Sequence, residues 1–399
     1  MNEKLSDEKG EAPDHPEEPP RGTTNVSRRC LPERRFERLT RPLVRFLEIE
    51  AMGGFVLLLA TAVALVAANS GFAERYQEFW ETRLSFALGD FSLDYPLWYW
   101  VNDGLMVIFF FVIGLEIKRE LVWGELRDPR HVILPTVAAF GGAAAPMGIY
   151  LALQSSPPGS AGWAVPMATD IAFVVGALAL LGKRVPAGLK VFLLSLAIID
   201  DILAVLVIAI FFTTSIDMTW LGVAGGSLVV IALLNAIGVR AVGVYLLVGI
   251  VTWLATFKSG IHPTVAGAVL GLLTPASAWI GGATLLEVLE ESWDRLRGRA
   301  QPLSQPDGRD AAEDLAFAAT ECLSPLERLE KGLHPWVTFT IMPIFALANA
   351  GVAVEAERLT HPIAIAVALG LVIGKPLGIG LACFICVRLR LSLLPVGVA

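Results

Sequence analysis

Ten apolar stretches, each close to the length of a bilayer crossing, recur along this chain and constrain its fold more than any other feature. They fall at approximately 51–72, 96–117, 132–153, 161–181, 189–213, 219–239, 241–257, 261–280, 335–354 and 361–387. A helix rises 1.5 Å per residue, so about 20 apolar residues cross a hydrocarbon core about 30 Å thick. Inside that core each backbone polar group must be satisfied within its own helix. A mean hydropathy of +0.62 with 17% charged residues excludes a soluble domain of this length. The pattern predicts an all-α polytopic membrane protein.

Charge in the connections orients the spans. Arg28, Arg29, Arg34, Arg35, Arg38, Arg41 and Arg45 stand just before the first one, which predicts a cytoplasmic N-terminus by the positive-inside rule. Binding of anionic lipid is a second reading of the same cluster. The loops at 154–160 and 214–218 contain no basic residue, and that at 355–360 has only Arg358. The opposite connections carry Lys118, Arg119, Arg127 and Arg130, then Lys183 and Arg184, then Arg240, and Arg388 and Arg390 follow the last span. Lys258 is a mild exception. The agreement supports ten spans in a plasma (inner) membrane.

Three pieces lie outside the spans. Residues 1–46, acidic and proline-rich at first and then basic, are predicted to be a disordered cytoplasmic tail ahead of a transmembrane domain at 47–399. They contain no apolar stretch, so no cleavable signal peptide is expected. Residues 84–93 alternate apolar and polar around Gly89-Asp90, a hairpin signal on the outer side. A lone two-stranded hairpin is marginal, so it should pair, a second copy of itself being one partner. The segment 281–333 is charged and Pro/Gly-interrupted, with an amphipathic stretch at Leu285–Arg297, and reads as a cytoplasmic insert without chemistry. The net charge of −7 reflects acids clustered in such segments, and no nucleic-acid partner is expected. The four cysteines form no disulfide framework, and Cys383 and Cys386 read as packing residues.

The remaining signal is polar. Asp200 and Asp201 sit mid-run between Val191 and Phe212. An ionised aspartate at the centre of a membrane helix costs at least about 2.5–3.5 kcal/mol, so such acids are functional by default. Neighbours on a helix point about 100° apart, which gives the two different partners. Counting from the span ends also places Asp170 and Lys375 near the midplane. Pro166, four residues before Asp170, interrupts span four. Its freed backbone groups either line a cavity, as at transporter ion sites, or form an ordinary kink satisfied by Thr169. Lys375, between Gly374 and Pro376, must pair with a carboxylate or give up its proton. Asp103 lies nearer the outer surface and is a candidate for the ion-entry path. Glu116 and Glu120 end their span in a solvated helix end or a cytoplasmic funnel. His262, before Pro263, is structural or pH-responsive.

Taken together, several motifs resemble the NhaA-type sodium/proton antiporters. They are Asn102-Asp103-Gly-Leu-Met, Gly114-Leu-Glu116-Ile-Lys118-Arg119-Glu120-Leu, Ala168-Thr169-Asp170-Ile-Ala-Phe, Leu196-Ala-Ile-Ile-Asp200-Asp201, Leu333-His334-Pro335-Trp336, Phe345-Ala-Leu-Ala-Asn349-Ala-Gly351 and Gly374-Lys375-Pro376-Leu-Gly. The resemblance runs from about residue 46 to the C-terminus, excluding 281–325. It implies an inverted-repeat antiporter fold with interrupted helices. It also implies a shared Na+/H+ site at Asp200 and Asp201, with Asp201 the more direct ligand of a transient Na+. Thr169 and Asp170 would stand at the crossing of unwound segments, and Lys375 would pair with Asp200. Glu116, Glu120 and Glu330 would take part in pH activation, and the outer hairpin would make a homodimer contact. Family members continue beyond Gly374-Lys375-Pro376 with two further spans, which this chain is expected to lack.

The expected activity is secondary transport rather than enzymatic catalysis. Cytoplasmic Na+ or Li+ would exchange for external H+, with no cofactor and with membrane lipid as the surrounding partner. Two adjacent acids at low dielectric cannot both ionise cheaply, so ion and protons compete for the same carboxylates. One rival is a sodium-coupled organic-anion symporter, which would need anion-binding Arg or Asn groups that the core offers sparingly. The other is an inactive truncated fragment, against which the retained midplane acids argue.

Overall fold

The computed structural model describes residues 50–392, apart from 90, 125–126, 128, 169–183, 214–215, 240–241, 298–305, 356 and 358–359. The tail predicted at 1–46 lies outside the described residues. The described residues are mostly helical, with one small two-stranded sheet among them.

The described residues begin with α1 (Glu50–Ala68), which turns by 114° into α2 (Ala73–Glu81). The hairpin follows as β1 (Arg83–Leu88) and β2 (Phe91–Pro96), paired antiparallel from Arg83 opposite Pro96 to Leu88 opposite Phe91. Gly89 at its tip has φ 61°, a left-handed conformation that glycine adopts without steric cost. Helix resumes at Leu97–Tyr99 and opens into a wider π-helical stretch, Trp100–Leu105, before α3 (Met106–Val122). Then come α4 (Pro129–Leu153) and two short 3₁₀ turns, Gly159–Gly162 and Val165–Met167. Helices α5 (Ala187–Phe211), α6 (Met218–Ile237), α7 (Val242–Ser259) and α8 (Pro263–Leu273) follow. The segment read as an insert holds α9 (Gly282–Arg297) and α10 (Pro306–Glu321). It leads into α11 (Pro325–Trp336), a π-helical stretch Val337–Ile341 and α12 (Met342–Asn349). The last composite helix is α13 (Pro362–Leu369), a π-helical stretch Gly370–Gly374 and α14 (Lys375–Arg388).

Among the described residues five helices are long and apolar enough to cross a membrane: Val132–Leu153, Gly188–Phe211, Met218–Ile237, Val242–Ser259 and Pro362–Arg388. The other predicted spans take different forms. The run at 51–72 breaks at Ala68. The runs at 96–117 and 335–354 are each divided by π-helical turns. The run at 261–280 is helical only over Pro263–Leu273, about 16 Å at 1.5 Å per residue, because Thr274 leaves the helix in an extended conformation. Most of the run at 161–181 lies outside the described residues.

Helix pairing follows small residues. Lipid tails are as apolar as leucine, so membrane helices gain by close backbone packing, and small residues permit it. Helix α8 lies against α3, where a Cβ on Gly114 would meet the Ala268 carbonyl and Gly271. Helix α14 lies against α4 in the same way, and a Cβ on Gly378 would meet the Gly141 carbonyl and Ala145. The apolar cluster of Ala138, Ala139, Leu196 and Ile199, backed by Ile379 and Cys383, draws α4, α5 and α14 together. A second cluster, Leu115, Ala276 and Leu326, joins α3 to α11.

Candidate functional site

The acid pair and the lysine belong to helices that the first cluster packs together. Asp200 is within one residue of the centre of α5, and Lys375 is equidistant from the ends of Pro362–Arg388. Two long helices that cross one layer side by side therefore bring their midpoints to the same depth. The Lys375 ammonium donates to Asp200 Oδ2 at 2.8 Å, with side-chain exposures of 15% and 5%. Burial at that level would be prohibitive for either charge alone, and each is the counter-charge of the other.

Lys375 has a second partner. Its Nζ donates to the Met167 carbonyl at 2.6 Å. Met167 closes the turn Val165–Met167, and Ala168 after it is extended, with ψ 143°. A carbonyl at such a helix end has no intrahelical donor, and the ammonium supplies one. The lysine thus ties α5 to the interrupted stretch that Pro166 begins. Thr169 and Asp170, predicted to support the site, lie outside the described residues. Asp201 follows Asp200 on α5 but is turned away by one helical step, and it is half-buried.

The other predicted residues form two separate groups. Near the hairpin end, buried Asp103 sits in the π-helical stretch, with its Oδ1 3.6 Å from His262 Nδ1. Trp253 Nε1 donates to the Asp103 carbonyl at 2.8 Å, and His262 caps α8. Asn102, in the same π-helical stretch, and Asn349, at the end of α12, exchange amide hydrogen bonds of 3.2 and 2.9 Å. At the far end of α3, Arg119 pairs with Glu330 on α11 and reaches Glu120 at 3.4 Å. Glu116 lies half-buried on the same helix.

Sequence reasoning named Arg119 only as a connection charge and within a motif, and did not name the Met167 carbonyl or Trp253. The proline of an interrupted span was a signal for the carbonyl, since freed backbone acceptors must find donors. Nothing in the spacing of Arg119 and Glu330 announces their contact.

Residues 44–399 match the family described as Na+/H+ antiporter 1. A relative from Rhodopirellula baltica, named Na(+)/H(+) antiporter NhaA, is 48% identical over 375 residues, covering 92% of this chain and 83% of its own length. One from Acidiphilium cryptum, Na(+)/H(+) antiporter NhaA 2, is 47% identical over 367 residues, covering 92% and 82%. A third, from Rhizobium meliloti, is 46% identical over 376 residues, covering 93% and 85%, and is also named Na(+)/H(+) antiporter NhaA.

Proposed function

This chain belongs to the NhaA family of Na+/H+ antiporters, and from that premise we propose that it expels Na+ or Li+ in exchange for external protons through competition at Asp200 and Asp201. The observation that carries the proposal is Asp200, buried at the centre of α5 with an ammonium 2.8 Å away. A carboxylate so placed is charged only while a cation stands beside it.

In the ion-loaded state Na+ sits against Asp201, and Lys375 balances Asp200. Protons arriving from outside neutralise the carboxylates, and the ion has no further reason to stay. The Lys375 ammonium keeps the Met167 carbonyl as its acceptor while Asp200 changes protonation. That limits the cost of separating it from its acid. Thr169 and Asp170, beyond Met167, support the site. Exchange then requires that the site open to each side in turn, which a rocking of α4, α5 and α14 against the bundle of α3, α8 and α11 supplies. If more than one proton returns per ion, transport is electrogenic, at about 2.3 kcal/mol per net charge per 100 mV.

The remaining elements take supporting roles in this reading. The chain crosses a bacterial inner membrane ten times from a cytoplasmic N-terminus, and pairs with a second copy through the outer hairpin. Asp103 lies on the external access route, with His262 beside it. Glu116, Glu120 and Glu330 respond to cytoplasmic pH. The test is Asp201→Asn in proteoliposomes of the full chain. Sodium-dependent dequenching of a pH dye should vanish while incorporation stays normal, and near-parental exchange would refute the assignment.

A further inference from the structure

Gly142, Pro146 and Tyr150 recur at intervals of four along α4, so they lie along one face of that helix. That face carries both halves of the lysine site. A Cβ on Gly142 would meet Ile379 and, at 4.0 Å, the Cγ of Lys375. One on Gly374 would meet the Pro146 Cα at 2.9 Å, and one on Gly370 would meet the Pro166 Cβ at 2.8 Å and the Pro146 carbonyl at 3.3 Å. At the C-terminal end of the face stands Tyr150, a large side chain only 1% exposed. Its hydroxyl donates to the Gly159 carbonyl at 2.6 Å.

The interrupted stretch from Gly159 to Met167 is therefore gripped at three places. Tyr150 holds its start, the buried ring of Pro166 seats against Gly370, and the Met167 carbonyl accepts from Lys375 Nζ at 2.6 Å. Gly162 passes so close beneath Tyr150 that a Cβ there would meet the hydroxyl oxygen at 2.5 Å. The stretch is built of two short 3₁₀ turns, whose hydrogen bonds are poorer than those of an α-helix. Its position is set by its neighbours rather than by its own backbone, and Tyr150 is the neighbour at the end away from the lysine.

We propose that Tyr150 is a positioning residue for the ion site, its hydroxyl setting the interrupted stretch on α4 so that the Met167 carbonyl shares the Lys375 ammonium with Asp200. The proposal rests on the reading of Asp200 and Asp201 as the exchange site. An ammonium drawn partly onto a carbonyl neutralises Asp200 less fully, which leaves the acid pair more attractive to an entering cation. With the carbonyl displaced, the ammonium rests on Asp200 alone and Na+ is held more weakly.

The experiment measures sodium-driven proton flux against Na+ concentration in proteoliposomes of the full chain. Tyr150→Phe, which keeps the ring, should raise the KM for Na+ about fivefold, the scale of one lost hydrogen bond, with a smaller change in maximal flux. A merely structural role would lower maximal flux and leave KM where it was. Gly162→Ala, which drives a methyl group against the hydroxyl, should raise KM with Tyr150 still present. The double variant, in which phenylalanine leaves room for that methyl group, should be no worse than Tyr150→Phe alone. An unchanged KM for Tyr150→Phe, or a double variant in which the two single effects multiply, overturns the proposal. If Tyr150→Phe does not fold, Gly162→Ala takes its place, and an unchanged KM for it counts equally against the role. Asp201→Asn separates the two readings. Near-parental exchange by that variant removes the site and the positioning role together. Loss of exchange by it, with KM unmoved in Tyr150→Phe, defeats the positioning role only.

Discussion

Lys375→Ala is the most informative perturbation, because one side chain holds both a buried acid and an orphan carbonyl. Removing one member of a buried ion pair costs about 3–5 kcal/mol, since the remaining charge is left without compensation. Loss of the bond to Met167 adds about 1 kcal/mol. At 5% side-chain exposure Asp200 gains little from solvent, and relaxation around it limits the net loss to about 3 kcal/mol. For large chains 1 kcal/mol moves the melting midpoint by roughly 2 °C, so a drop of about 6 °C is expected. The assay is thermal unfolding of purified protein in detergent, with Lys375→Arg as a variant that retains the charge. Equal midpoints for parent and Lys375→Ala would refute the pairing argument.

Two further outcomes are expected, one from the helix packing and one from the proposed pairing of two copies. Gly378→Val should destabilise by about 1–3 kcal/mol, because a Cβ there meets the Gly141 carbonyl and Ala145; detergent melting measures it, and a neutral result would show that α4 and α14 can part freely. Shortening the hairpin between Arg83 and Asp94, whose side chains pair at 2.6 Å, should leave monomers by light scattering while sodium-driven flux persists.

By itself the sequence determined the class of protein, the family and most helix positions. Apolar runs such as Val191–Phe212 needed no context, because lipid rewards a long apolar helix wherever its neighbours are. The hairpin was legible for a local reason too, since Gly89 and the flanking alternation specify it within a dozen residues. Breaks inside helices were less legible. The π-helical turns at Trp100–Leu105 and Val337–Ile341 have no compositional mark, whereas Pro263–Leu273 ends short of its apolar run because Thr274 precedes Pro275 and is held extended.

The site shows the same division. Sequence required a counter-charge for Lys375, because an isolated ammonium at midplane is too costly, but residue spacing alone left several midplane acids as candidates. Tertiary packing of α14 against α4 and α5 selected Asp200, and with it the Met167 carbonyl. The contacts of Arg119 with Glu330 and of Glu321 with Arg328 were decided in the same way. Local preferences act over a few residues and can be read along the chain. A contact such as Lys375 with Asp200 depends instead on which helices can approach closely, and that is set by small residues on faces that meet only when the whole bundle has assembled.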